Sequence, residues 1–272
     1  MKAGTTSLYN YLRDHPQVFM PETKEVNFFN PLRNWRFGIQ WYERQFEDAG
    51  NDALAIGEAS TSYTKFPWIK DVPARISSVL GIVRLVYVVR DPIDRMRSHY
   101  LHNISTGQES RPIEEAFAKD EMYLNISRYS LQIDQYLPYV HRDALLVIES
   151  RDLRHRRVDT LRKVFEFIGV EKSWVPPTID REYYRSTDRR MNSPVLRRIR
   201  KIPRVRTLST YVPGSIKKMK HDLTDRLPTE DLDLAKGNLT DDLRERLGQA
   251  LREDVSRLRP FMGDQFDGWG IG

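Results

Sequence analysis

Apolar positions recur along this chain at two periods, and the two together mark out alternating strands and helices. From Val83 to Val89 the residues are almost all apolar and several are β-branched, the pattern of a strand covered on both faces. Leu145-Leu146-Val147-Ile148 repeats that signature, and residues 54–58 give a shorter version of it. Helical spacing predicts helices over 5–14, 73–80, 95–104, 113–119, 130–139 and 158–168. Beyond Thr240, Leu243, Leu247, Leu251, Val255 and Leu258 return every three or four residues, so a further helix packs its apolar stripe on the core. Short strands separated by helices predict an α/β protein with a parallel sheet flanked by helices on both faces. The whole of 1–272 reads as one domain, with Pro203 to Gly214 as a flexible connection.

Two of the predicted junctions carry chemistry. Lys2-Ala3-Gly4-Thr5-Thr6-Ser7 precedes the first helix: Gly4 permits a tight curl, and the N–H groups of Gly4, Thr5, Thr6 and Ser7 can converge on an anion where the helix dipole favours one. The G-x4-G-K-[ST] spacing of nucleotide triphosphatases is absent, which argues against a kinase or ATPase. A plain turn with N-capping residues would use the same residue types. The second junction is Arg90-Asp91-Pro92, at the carboxyl end of the 83–89 strand, where open α/β sheets bind ligands. Ser98 follows eight residues later, about two helical turns on, so that arginine and hydroxyl can share one phosphate. The alternative is a salt-bridge cluster at a helix start with an unrelated serine.

Composition and charge narrow the picture. The 272 residues are enough for one α/β core, and no run of about 18 apolar residues offers a membrane span. Cysteine is absent, which favours a reducing, cytoplasmic setting of bacterial type, and the sequons at Asn103, Asn125 and Asn238 are then incidental. The net charge of +6 is unevenly placed: residues 181–220 hold 13 Lys and Arg against Glu182 and Asp188. Such a segment suits nucleic acid, an anionic polysaccharide or a membrane surface, or is a solvated helix face. No nucleic-acid-binding motif accompanies it, so nucleic acid is the weaker partner.

Taken together, Lys2 to Ser7 and the Arg90/Ser98 pair resemble the sulfotransferases that use 3′-phosphoadenosine 5′-phosphosulfate (PAPS), in which a K-x-G-T-T/S loop holds the 5′-phosphosulfate and an R-x7-S pair the 3′-phosphate. The likeness extends through Leu12-Arg13-Asp14-His15-Pro16, Lys24-Glu25-Val26-Asn27-Phe28-Phe29, Gly57-Glu58-Ala59-Ser60-Thr61-Ser62-Tyr63 and Leu145 to Glu149, on to Gly169-Val170, with an echo at Phe266 to Trp269. Bacterial and heparan sulfate enzymes look nearest. The resemblance implies a P-loop-like three-layer fold and sulfuryl transfer from PAPS, without a metal, to a hydroxyl or amine of a small-molecule, lipid or carbohydrate acceptor. It implies that Lys2, Ala3, Gly4, Thr5, Thr6, Ser7, Arg90 and Ser98 hold the donor and that Lys2 stabilises the departing adenosine 3′,5′-bisphosphate. Glu25 becomes the expected base, with Glu58 as second choice; Arg189 or Arg190 matches a basic loop over the donor. His15, His99 and His102 read as packing residues. A chain that retained the pocket but lost catalysis is the alternative, and retention of Lys2 and a base speaks against it.

Two departures from the family pattern matter. Ala59 stands where the heparan sulfate enzymes have a lysine, which removes a charge from the acceptor side. In the family an apolar strand precedes the Lys-x-Gly loop, whereas Lys2 here follows Met1. That reading expects the first strand to be missing and about 5–20 further residues upstream.

Overall fold

The computed structural model describes residues 2–181, 190–191, 230–231 and 234–271. In chain order the elements begin with α1 (Thr5–Asp14), β1 (Val18–Phe19), α2 (Ile39–Glu43), β2 (Ala55–Ile56), α3 (Val72–Leu80) and β3 (Leu85–Val89). Then come α4 (Pro92–Thr106), α5 (Ile113–Lys119), α6 (Met122–Asn125), α7 (Tyr129–Asp134), β4 (Leu145–Glu149), α8 (Ser150–His155) and α9 (Arg157–Ile168). The strands β5 (Arg190–Met191) and β6 (Glu230–Asp231) pair antiparallel, and α10 (Asp241–Met262) closes the chain. Most of the basic 181–220 segment, Arg189 and the 203–214 connection lie outside the described residues.

Strands β3 and β4 are parallel and in register from Leu85↔Leu145 to Val89↔Glu149. Alternation sends Val86, Val88, Leu146 and Ile148 to one face, where they meet Leu8 and Tyr11 of α1 and Leu161, Val164 and Phe165 of α9. The other face sends Tyr87, Val89 and Val147 against Ile93, Met96 and Tyr100 of α4 and Leu251 and Leu258 of α10. Helix, sheet, helix is the three-layer arrangement expected of a strand run that is apolar on both sides. Leu251 and Leu258 are completely buried; truncating either to Ala costs about 2–5 kcal/mol.

Strands β1 and β2 form a second parallel pair, with Val18↔Ala55 and Phe19↔Ile56 in register. Among the described residues the parallel sheet is therefore two separate pairs. Between them runs a groove of about 680 Å3 lined by every residue of 54–61 on one side and 82–88 on the other, with Leu8 and Leu12 of α1 also on its wall. Consecutive lining residues mean that strand edges rather than strand faces look into the groove. Apolar side chains stand open near it: Ile82 is 96% exposed, Leu54 65% and Ile56 57%.

Three predicted elements are shorter than the sequence suggested, the strand expected over 83–89 beginning only at Leu85. The helix expected over 130–139 stops at Asp134, because the chain tightens into turns in which Tyr136 N–H bonds Ile133 O and Tyr139 N–H bonds Tyr136 O, and Pro138 has no N–H to continue. The strand expected over 54–58 contracts to Ala55–Ile56, the residues in register with β1, with Gly57 N–H still donating to Phe19 O at 3.0 Å.

Candidate active site

Glu58 and Arg90 lie just beyond the carboxyl ends of β2 and β3, and the Gly4 loop packs on the end of β4, the side where open α/β sheets bind ligands. Gly4 caps α1 with φ 89° and ψ 9°, a left-handed conformation that glycine tolerates without a Cβ penalty. A Cβ there would lie 3.4 Å from Oγ of Ser150, the first residue of α8, so the loop also packs closely on the end of β4. Gly4 has no side chain to cap the helix, which leaves its first N–H groups for an anion. Ser7 departs from the expected nest: its N–H donates to Gly4 O at 3.0 Å, and the first helical turn consumes that donor. Lys2 also has a positive φ, 68°, while Ala3 is buried and fastens the loop to the core. A glycine cap with free first-turn N–H groups fits a 5′-phosphate.

At the end of β3, Asp91 caps α4 by accepting the N–H of Asp94 at 2.9 Å, and Pro92 opens the helix. Arg90 is held by its backbone: Tyr129 Oη donates to Arg90 O at 2.7 Å, and Arg90 N–H donates to the same phenol oxygen at 3.3 Å. Its guanidinium pairs with Asp94 at 3.1 Å, with 31% of the Arg90 side chain exposed. Ser98 is buried on α4. For Arg90 and Ser98 to share one phosphate, the arginine would have to turn away from Asp94.

Loops 21–34 and 57–65 build the other half of the site. Glu22 O accepts from Tyr9 Oη at 3.2 Å, which ties the first loop to α1. Asn27 N–H donates to Ser60 Oγ at 2.8 Å, Ser62 Oγ donates to Asn27 Oδ1 at 2.5 Å, and Phe29 N–H donates to Tyr63 Oη at 3.1 Å. These bonds stitch the loops around two carboxylates. Glu25 receives the Thr61 N–H at 2.7 Å and Thr61 Oγ1 at 3.1 Å on Oε2, and Lys24 Nζ at 2.7 Å on Oε1. Its side chain remains 38% exposed. Glu58 instead accepts Ser60 Oγ at 2.6 Å and Tyr63 Oη at 2.7 Å. Burial holds the Glu58 carboxyl above the usual carboxylate range; nearby Glu25 adds to this, and the hydroxyl hydrogen bonds oppose it. Thr5 of the phosphate loop, Glu58 and Thr61 all line the same groove, which brings the two halves of the site together.

His15 and His99 are built into the scaffold. His15 is buried, with Nε2 3.0 Å from Glu171 O and Nδ1 accepting Gln17 N–H at 3.1 Å. His99 is buried against Tyr123, and burial, followed by the charges of Arg95 and Lys65, pushes its ring down to about 2. At the far end, Trp269 Nε1 donates to Glu149 Oε1 at 2.8 Å and pins the closing Phe266 to Trp269 segment to the end of β4. Sequence reasoning missed Thr61 as the residue that orients Glu25 and Ser150 as the contact of Gly4. Thr61 lies inside a quoted motif, but only the fold shows what it bonds.

Parallel strand pairs sandwiched by helices, with a glycine-capped loop at their carboxyl end, define a P-loop-like α/β protein. The chain belongs to the sulfotransferase domain family, which it matches over residues 1–192. It is 28% identical over 191 residues to the mouse (Mus musculus) bifunctional heparan sulfate N-deacetylase/N-sulfotransferase 4, covering 62% of this chain and 21% of that protein. It is 34% identical over 121 residues to the membrane-associated sulfotransferase kil1 of Dictyostelium discoideum, covering 43% and 25%. Against the mouse heparan sulfate glucosamine 3-O-sulfotransferase 3A1 the figures are 26% over 180 residues, 63% and 44%. The chain thus spans less than half the length of these curated relatives. A sulfotransferase from Alicyclobacillus acidocaldarius shares the fold, with a TM-score of 0.67 at 22% identity over 99% of this chain and 95% of that one. Among the described residues no helix is long and apolar enough to cross a membrane.

Proposed function

We propose that this chain transfers a sulfuryl group from PAPS to a hydroxyl or amine of a carbohydrate-like acceptor. The observation that carries this reading is that one groove is lined both by Thr5 of the glycine-capped loop and by Thr61, the residue that orients Glu25. In the proposed reaction the acceptor oxygen attacks sulfur in line with the bond to the 5′-phosphate oxygen. That S–O bond breaks as the new one forms, and the pair of electrons leaves with adenosine 3′,5′-bisphosphate. Glu25 takes the acceptor's proton, and its half-exposed position suits contact with an acceptor. Lys2 and the first-turn N–H groups of α1 balance charge on the leaving phosphate. Arg90 and Ser98 hold the 3′-phosphate, and Glu58, enclosed by hydroxyls, acts as scaffold. The acceptor class follows the heparan sulfate enzymes among its relatives. A cysteine-free chain suits a bacterial-type cytoplasm.

The test is twofold. Calorimetry should show tighter binding of adenosine 3′,5′-bisphosphate than of AMP, and Arg90→Ala should erase about 1.5–3 kcal/mol of that preference, the range for a charge-assisted hydrogen bond. Labelled PAPS should deliver its sulfuryl group to one member of an acceptor panel. Equal affinity for the two nucleotides would overturn the donor assignment.

A further inference from the structure

Trp269 is held in a backbone conformation that its own side chain disfavours. Its φ and ψ are 56° and 25°, between Gly268 at φ 68° and Gly270 at φ 71°, and left-handed backbone is unfavourable for a bulky residue. Such a conformation persists only where the surroundings over-determine it. Here they do. Gly268 is pressed onto α10, where a Cβ would lie 2.9 Å from Arg259 Nη2, and Arg259 Nη1 donates to Phe266 O at 3.0 Å. The buried Phe266 ring meets the Trp269 ring edge to face at 4.6 Å, and Asp267 Oδ1 accepts the Trp269 N–H at 2.8 Å. These contacts fix the direction in which the indole points.

The indole reaches the ends of both central strands. Its Nε1 donates at 2.8 Å to Oε1 of Glu149, the last residue of β4, and the next residue, Ser150, is the one whose Oγ a Gly4 Cβ would meet at 3.4 Å. Its ring packs T-shaped on Tyr129 at 6.0 Å, with Tyr87 against the same phenol ring at 5.9 Å. The Tyr129 hydroxyl in turn donates to Arg90 O and accepts Arg90 N–H, just past the end of β3. A phenol that both donates to and accepts from one residue's backbone fixes that residue only as firmly as its own ring is fixed. One side chain thus touches the supports of Gly4 and of Arg90, the residues that the sulfotransferase reading gives to the 5′- and 3′-phosphates of the donor. We propose that Trp269 is a positioning residue of the donor site, setting the separation between the elements that hold the two phosphates of a 3′,5′-bisphosphate nucleotide. This deepens the sulfotransferase reading and rests on it, and it draws on a residue outside the 1–192 stretch that matches the family.

Trp269→Phe keeps a ring against Tyr129 and removes the indole N–H. Its effect runs through Glu149 and Ser150 to the loop that both nucleotides use. Calorimetry should therefore show adenosine 3′,5′-bisphosphate and AMP weakened by the same factor, about 2- to 30-fold, the range for coupling through packed side chains. Trp269→Ala also takes the ring away from Tyr129, and should in addition lower the preference for the bisphosphate by a factor in that range. In an Arg90→Ala background, Trp269→Ala should leave the preference where Arg90→Ala alone puts it, because the group it positions is gone. Glu149→Ala should copy Trp269→Phe, whereas Glu149→Gln, whose amide oxygen can still accept the indole N–H, should bind as the parent does. A Trp269→Phe protein that melts lower yet binds both nucleotides as tightly as the parent would make the tryptophan structural only and overturn the proposal. A loss of preference on Trp269→Ala that is equal with and without Arg90 would overturn it too. Equal affinity of the parent for the two nucleotides would instead be failure of the donor reading, and the positioning role would fall with it.

Discussion

Replacing each of the two carboxylates by its amide should separate base from scaffold. In Glu25→Gln the amide oxygen can still accept both Thr61 donors, and what is lost is the 2.7 Å pair with Lys24, whose side chains are 16% and 38% exposed. A pair that open to solvent contributes about 0.2–1 kcal/mol, so the melting temperature should fall by less than about 4 °C. Turnover should fall by about 100-fold or more, because the proton acceptor is gone. Glu58→Gln should behave in the opposite way. Ser60 Oγ already accepts Asn27 N–H and Tyr63 Oη already accepts Phe29 N–H, so both hydroxyls must donate towards residue 58. A glutamine NH2 there meets a donor, and a buried group left unsatisfied costs about 1–3 kcal/mol, or about 2–12 °C. Turnover per folded molecule should stay within about tenfold of the parent, below the range for loss of a general base. The stability deficit should also shrink with rising pH. The folded-state pKa of Glu58 is raised, so its contribution is complete below the unfolded value near 4.5 and is lost as pH climbs towards the folded one, whereas glutamine has no such dependence. Scanning calorimetry with labelled-PAPS turnover reads both effects. If Glu58→Gln loses turnover 100-fold while Glu25→Gln keeps it, the reasoning fails.

A further outcome follows from another part of the molecule. Hydrogen bonds from the Arg111 guanidinium and from the N–H groups of Arg111 and Ser110 hold the Glu109 carboxyl down to about 2, so its stabilisation is present above the unfolded value of 4.5 and is lost as pH falls towards 2; urea denaturation at about pH 6 and pH 3 should show wild type losing more stability than Glu109→Gln, and equal losses would refute this.

Legibility in the sequence followed the range of the interactions that make each feature. Strands β3 and β4 were readable because a strand covered on both faces needs apolar residues at every position, and that requirement is local. The start of α4 was readable for a similar reason: Asp91 and Pro92 act within one turn of the helix they open. Strand β1 was not readable, because two residues carry no periodicity and Val18-Phe19 becomes a strand only by pairing with Ala55-Ile56 across 37 positions. The 130–139 helix was overread because an apolar spacing of three or four is shared by helices and by the tight turns that replace it after Asp134. In the site, Gly4 and Arg90 announce themselves by residue type and position. The Arg90/Ser98 spacing did not reveal that Asp94, four residues after Arg90, would pair with the guanidinium.

The two halves of the site therefore place different demands on the sequence. The Gly4 loop presents backbone N–H groups and a helix terminus, so its requirements fall on a few adjacent residues: a glycine at φ 89° and small hydroxyl residues after it. The Glu25 half is built from side chains of two loops 33 to 36 positions apart, and each depends on the other for orientation: Glu25 on Thr61, Asn27 on Ser60 and Ser62, Phe29 on Tyr63. A substitution in one loop can then be offset from the other or from further along its own, whereas any side chain at Gly4 strains the turn on which its whole loop is built.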